Sequence, residues 1–168
     1  MAENKTQELS DDLAVPEQKL FYTAEEFMAI EYPPVQWLIE GILPRVGFTI
    51  LVGDPGTGKS LLALDMLNSV TTGYKWMGQF RVEKTKVLLL DRENPHGVVQ
   101  GRMKGLGIRG EGFLIPCLPD EIELTDSRGE VTEIARKLGE VATNNEIGMV
   151  IIDSMIDFIK GDENSSQD

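Results

Sequence analysis

The sequence predicts an α/β fold, a mostly parallel sheet with helices on both faces. From residue 47 onward, strand-like apolar runs alternate with helix-like periodic segments, the order that builds parallel sheets through helical crossovers. Two of the runs, 86–91 and 148–153, are apolar stretches that end in aspartate, and the continuous run of the first suits a parallel strand covered on both faces. A third run, 48–52, leads straight into Gly53-Asp-Pro-Gly-Thr-Gly-Lys-Ser60. That loop fits the phosphate-loop pattern G-x-x-x-x-G-K-S in its strand–loop–helix context.

The elements follow in chain order. Residues 1–19 are polar and charged without a sustained period and read as a disordered acidic arm. Residues 20–46 hold a helix and an apolar lead-in. Thr23-Ala-Glu-Glu26 makes a capping box that opens a short helix through Ile30, and Pro33-Pro34 stops it. Trp37-Leu-Ile39 and Ile42-Leu43 form an apolar approach to Gly47. Trp37 reads as a core or capping aromatic, with base stacking as the alternative. The phosphate loop opens a helix over 59–70. Leu61, Leu62, Leu64, Met66, Leu67 and Val70 make it apolar over most of its circumference, which predicts burial against a sheet. Asp65 in that helix reads as structural or solvated. Residues 74–85 form a mixed connection with room for a short hairpin.

The strand 86–91 is followed by Arg92-Glu-Asn-Pro95 and a helix over about 96–106, with Gly105 and Gly107 marking its end. Phe113-Leu-Ile115 is a short strand closed by Pro116, and Pro119 lies in the loop beyond it. Val131, Ile134, Leu138 and Val141 recur at helical spacing and place a helix over about 130–142. The strand 148–153 comes next, then apolar residues through Ile159, then a polar tail over 161–168.

The chain has 168 residues, is 41% apolar and carries a formal net charge of −12, with a pI of about 4.5. That suits one globular domain with its own core. The acidity argues against a non-specific nucleic-acid binder, which needs clustered Lys and Arg on phosphates. Much of it sits in the N-terminal arm and the tail and reads as solubility charge. The one cysteine, Cys117, permits no internal disulfide and suits a reducing compartment. With one histidine, His96, there are too few ligands for a zinc site. Met1 is followed by Ala-Glu-Asn-Lys with no apolar signal region. No stretch approaches the roughly 20 apolar residues of a membrane span, so the expectation is a cytoplasmic protein with no membrane partner.

Each residue type in the loop has a chemical task. Gly53, Gly56 and Gly58 let backbone N–H groups curl around phosphate oxygens, with Asp54, Pro55 and Thr57 completing the loop. The helix start adds unpaired N–H groups and a positive dipole end. Lys59 brings a point charge to the β- and γ-phosphates, and Ser60 brings a hydroxyl for Mg2+. Asp153 ends an apolar strand in the Walker B manner and is the candidate Mg2+ carboxylate. Glu93 lies just past the second strand, where a carboxylate can orient and deprotonate a water attacking the γ-phosphate. A turn carboxylate supporting the next helix start fits the same position. The base-recognition Asn-Lys-x-Asp of GTPases is absent, and Asp153 is followed by Ser154 rather than by glutamate.

Trp37-Leu-Ile-x-Gly41, the run from Leu43 to Ser60, and Leu62-Ala-Leu-Asp65 resemble the RepA-like AAA-type ATPases of plasmids, phages and bacterial chromosomes, within the RecA/DnaB-like superfamily. Val87-Leu-Leu-Leu-Asp-Arg-Glu-Asn94 resembles that family's second block. Val150-Ile-Ile-Asp-Ser154, with Gly161-Asp-Glu-Asn164, resembles its Walker B region. The resemblance covers about 35–168 and implies a RecA-like P-loop NTPase domain over 47–160. It implies Lys59 and Ser60 on phosphate and Mg2+, Glu93 as general base and Asp153 as the Walker B carboxylate. It puts Arg102 where relatives often carry an arginine, for a phosphate or ion-pair role; a solvated helix arginine is the alternative.

The resemblance further implies the strand order 3-2-4-5-1, in which a fifth strand separates the Walker B strand from the phosphate-loop strand. The sequence ends soon after the fourth strand. The expectation is therefore an N-terminal piece of a longer ATPase, incomplete at the C-terminus. An open apolar sheet edge would be costly, nucleotide binding weak and turnover inefficient.

The leading function is ATP binding and Mg2+-dependent hydrolysis within a ring-forming, helicase-like ATPase of plasmid, phage or chromosomal DNA replication or maintenance. The resemblance alone implies a homo-oligomeric ring such as a hexamer, an arginine supplied by the neighbouring subunit, and single-stranded DNA as partner. The competing reading is a non-catalytic, nucleotide-dependent assembly or regulatory module. A small-molecule kinase is third, and no Arg-rich lid supports it.

Overall fold

The computed structural model describes residues 21–116 and 122–159. The arm over 1–19, Pro119 and the tail over 161–168 lie outside the described residues. The chain divides into two units, Met1–Pro34 and Val35–Asp168. In the first, Thr23 caps α1 (Ala24–Met28). Its hydroxyl accepts from the Glu26 N–H at 3.2 Å, and the Glu26 carboxylate accepts from the Thr23 N–H at 2.9 Å. This is the reciprocal capping box, and α1 ends slightly before the expected Ile30.

The second unit opens with β1 (Trp37–Ile39) and β2 (Leu43–Pro44), which pair antiparallel. The lead-in expected only to be apolar is thus a hairpin. Then come α2 (Lys59–Thr72), β3 (Lys86–Asp91), α3 (His96–Gly105), β4 (Phe113–Leu114), α4 (Glu133–Asn144) and β5 (Ile147–Asp153), followed by a 3-10 turn over Met155–Phe158. The main sheet has the order β4-β3-β5, with both pairs parallel. This matches the 3-2-4 part of the expected order.

β3 is the central strand, and its side chains alternate between the faces. Val87 and Leu89 join a core with Leu64, Leu67 and Val70 of α2 and with Val99 and Met103 of α3. Leu88 and Leu90 join a second core with Phe158, against which Leu138 of α4 packs. Helices therefore cover both faces of the sheet, and the continuous apolar run of β3 is the consequence.

Three local details differ from, or add to, the expected elements. Helix α4 starts later than 130 because the Thr132 hydroxyl accepts from the Ala135 N–H at 3.3 Å and caps it. Val131 is bridged to Thr125 instead and does not belong to the helical face. Residues 76–80 close the short hairpin, with Trp76 and Phe80 exchanging backbone hydrogen bonds of 3.0 and 3.1 Å. The Trp76 indole N–H also donates to Asp65 at 2.9 Å, so Asp65 is a structural anchor between this hairpin and α2.

Residues 48–52 do not form the expected strand. Phe48, Ile50 and Val52 are 73%, 68% and 83% exposed. A lone extended segment has no ladder to satisfy its N–H and C=O groups, and it is not held as a strand without a neighbour. The neighbour expected between it and β5 is not among the described strands, and β5 pairs in the sheet with β3 alone. The exposure reaches α2, where Leu61 is 45% exposed although burial around most of the helix was expected.

Candidate functional site

Two groups of residues carry the chemistry. The first is the loop 53–60. Gly56 and Gly58 have φ of +79° and +93°, left-handed values that residues with a Cβ avoid. Gly58 is the N-cap of α2 and adds no side-chain bond there. The N–H groups of the first helical turn are left for an anion. Thr57 tightens the loop: its N–H and its hydroxyl both donate to the Asp54 carbonyl, at 3.3 and 2.8 Å. Lys59 arches back, its Nζ donating to the carbonyls of Gly53 at 2.7 Å and Asp54 at 2.9 Å. The ammonium is thereby kept on the loop, beside the N–H groups that an anion would use. Ser60 is half-buried on the first turn of α2. A cavity of about 480 Å³ runs beside the loop, with Leu51, Val52, Thr57, Lys59, Leu61 and Asp65 among its walls.

The second group stands at the carboxyl ends of β3 and β5. Asp91 and Asp153 are register partners there. The chain turns after Asp91, whose Oδ1 accepts from the Asn94 N–H at 2.9 Å and from its side-chain amide at 3.4 Å. This turn leaves Glu93 exposed. The Arg92 N–H donates to the Asp153 carbonyl at 2.8 Å, and the Glu93 N–H reaches the same oxygen at 3.5 Å. Backbone bonds thus bring Glu93 and Asp153 together.

Burial pushes the Asp91 carboxyl above its usual range; hydrogen bonds from Asn94 oppose this, the Asp153 charge adds to it and Arg102 of α3 offsets it. Arg102 is half-buried and acts on Asp91 through space. Asp91 was not anticipated as part of the site. Its signal was present, because two parallel strands both end in aspartate.

The structure does not bring the two groups into bonded contact. Among the described residues, no hydrogen bond or ion pair joins the loop 53–60 to Glu93, Arg102 or Asp153. Trp37 is half-buried on β1, beside a separate cavity of about 280 Å³ shared with Glu40, Arg81, Val82 and Glu83.

Among the described residues, no group of three or more His, Cys, Asp or Glu is placed to hold a metal ion. The Ser60 hydroxyl on the phosphate loop and the Asp153 carboxylate at a strand end stand on separate elements. Both are hard oxygen donors, the kind that suits Mg2+, which keeps several waters and takes substrate phosphates as ligands.

A family model described as an AAA domain matches residues 14–168. The chain belongs to the AAA domain family. No curated protein and no solved structure matches it. This AAA domain is of the P-loop, nucleotide-binding ATPase type, a class that typically works with Mg2+ and often as oligomers. Among its described residues, no helix is long and apolar enough to cross a membrane.

Proposed function

We propose that this AAA domain binds ATP with Mg2+ and hydrolyses it. The observation that carries the reading is the loop 53–60, a glycine-capped helix start with the Lys59 ammonium held over it. The N–H groups of this loop bind the β- and γ-phosphates. Lys59 exchanges the carbonyls of Gly53 and Asp54 for phosphate oxygens. Glu93, exposed beside Asp153, orients the attacking water and takes its proton as the new P–O bond forms and the bond to the β-phosphate breaks. Ser60 and Asp153 would hold Mg2+, which when bound neutralises charge on the phosphates. Arg102 offsets the rise at Asp91 and lies on the helix that follows Glu93.

The finer reading is a subunit of a RepA-like, ring-forming, helicase-like ATPase of DNA replication or maintenance. There a neighbouring subunit supplies an arginine and single-stranded DNA is the partner. It rests on the sequence resemblance.

Two observations favour a second reading, a nucleotide-dependent assembly or regulatory module that does not turn over. The loop makes no bond to Glu93 or Asp153, and residues 48–52 lie outside the sheet. Phosphate release with and without single-stranded DNA separates the readings. For the ATPase, Glu93→Gln lowers turnover about 10²–10⁴-fold and leaves ATP affinity unchanged. Turnover that survives this change removes Glu93 as the base. A wild-type chain that binds ATP without releasing phosphate supports the assembly module.

A further inference from the structure

Arg92 is the residue between Asp91 and Glu93, and it reaches further than either. Its main-chain N–H donates to the Asp153 carbonyl at 2.8 Å. Its guanidinium Nη1 donates to the carbonyls of Asp157 and Ile122. The guanidinium carbon lies 5.4 Å from the centroid of the Phe158 ring, within cation–π range. Phe158 is fully buried in the core with Leu88 and Leu90. One residue therefore grips the turn 153–157 at both ends, at Asp153 through its backbone and at Asp157 through its side chain. The turn is also tied internally, the Ser154 hydroxyl donating to the Asp157 carboxylate at 2.8 Å. A guanidinium suits this task because it is always charged and can donate along several directions at once. Bonds from a charged donor are stronger than neutral ones.

We propose that Arg92 is a positioning residue that sets the place of the Asp153 carboxylate by gripping the turn 153–157 at both ends. This rests on the reading of Asp153 as the Mg2+ carboxylate. Arg92 touches neither substrate nor metal in this scheme. It acts through Asp153, as outer-shell partners act on the groups they orient.

The test uses the full chain and a fluorescent ATP analogue, titrated with and without Mg2+. Affinity without Mg2+ is the same for wild type and Arg92→Gln. The Mg2+ concentration that gives half of the Mg2+-dependent gain in affinity rises about tenfold in Arg92→Gln, the low end of outer-shell effects. Arg92→Lys keeps the charge without the fork and gives an intermediate rise. Leu138→Ala loosens the same core without removing the Arg92 contacts, and its Mg2+ profile stays at wild type. A wild-type profile in Arg92→Gln overturns the proposal. So does a shift in Leu138→Ala as large as that in Arg92→Gln, because it would mark general loosening.

Amide exchange reads the grip without nucleotide. The Leu124 N–H, bonded to the Phe158 carbonyl at 2.7 Å, exchanges at least about tenfold faster in Arg92→Gln, as expected on losing a charge-assisted hydrogen bond. Unchanged exchange overturns the grip itself. Faster exchange in a chain that binds no nucleotide overturns the proposed function, and with it the role toward Asp153, while leaving the grip standing.

Discussion

Asp91 and Asp153 face each other as register partners on β3 and β5, so two carboxylates share one end of the sheet. Like charges placed together oppose folding, and such arrangements recur at functional sites.

Asp153→Asn relieves this opposition, because the Asp153 charge is one of the causes that raise the Asp91 carboxyl above its usual range. The backbone bonds that Asp153 accepts from Arg92 and Glu93 do not depend on its side chain. The variant is expected to melt at the wild-type temperature or above it, and to lose the gain in ATP affinity that Mg2+ brings. Thermal melts and nucleotide titrations on one preparation check both halves. A clear drop in melting temperature would show that the Asp153 carboxylate holds the fold together.

Phe158 and Phe48 make a matched contrast. Phe158 is 0% exposed and Phe48 is 73% exposed. Phe158→Ala should cost about 3–5 kcal/mol, as for a buried aromatic. Phe48→Ala should stay within about 0.5 kcal/mol, as for an exposed position. Denaturant unfolding of the two variants reads the difference. A large cost at Phe48 would place residues 48–52 in the core.

Gly148 is a tight spot with no chemical role. A Cβ built there comes 2.3 Å from Thr85 Oγ1 and 2.9 Å from its Cγ2. Both branches of a β-branched side chain are in the way, so rotating Thr85 does not clear the space. Gly148→Ala should destabilise by about 1–3 kcal/mol through overpacking. Thr85→Ala in the same chain should recover part of that loss, because the two sites couple. Equal stability of Gly148→Ala and wild type would mean that β5 and Thr85 are further apart.

Much of this architecture was legible in the residues. The run 86–91 reads as a strand buried on both faces, and Leu88 and Leu89 indeed pack into opposite cores. The capping box at Thr23 and the glycines of the phosphate loop announce themselves because their chemistry is local. The failures come from relations between distant segments. Residues 48–52 have the composition of a strand, yet a strand exists only beside a partner, and composition says nothing about whether the partner is present. Arg92 gives no local sign of its role, since its grip on Ile122 and Asp157 spans 30 and 65 residues. Val131 is the exception: the bridge that keeps it off α4 is to nearby Thr125, and its helical spacing hides it.

In the proposed function the loop 53–60 holds the phosphates of ATP through Lys59. Among the described residues, the Lys59 ammonium bonds only to the loop carbonyls of Gly53 and Asp54, so Lys59→Ala should leave stability within about 0.5 kcal/mol. Calorimetric titration of ATP with Mg2+ into the wild-type chain and into Lys59→Ala is the most direct test. The wild type is expected to bind one ATP saturably, and a folded Lys59→Ala to show no measurable binding. Equal affinity in the two proteins, or a wild-type chain that binds no ATP, would contradict it.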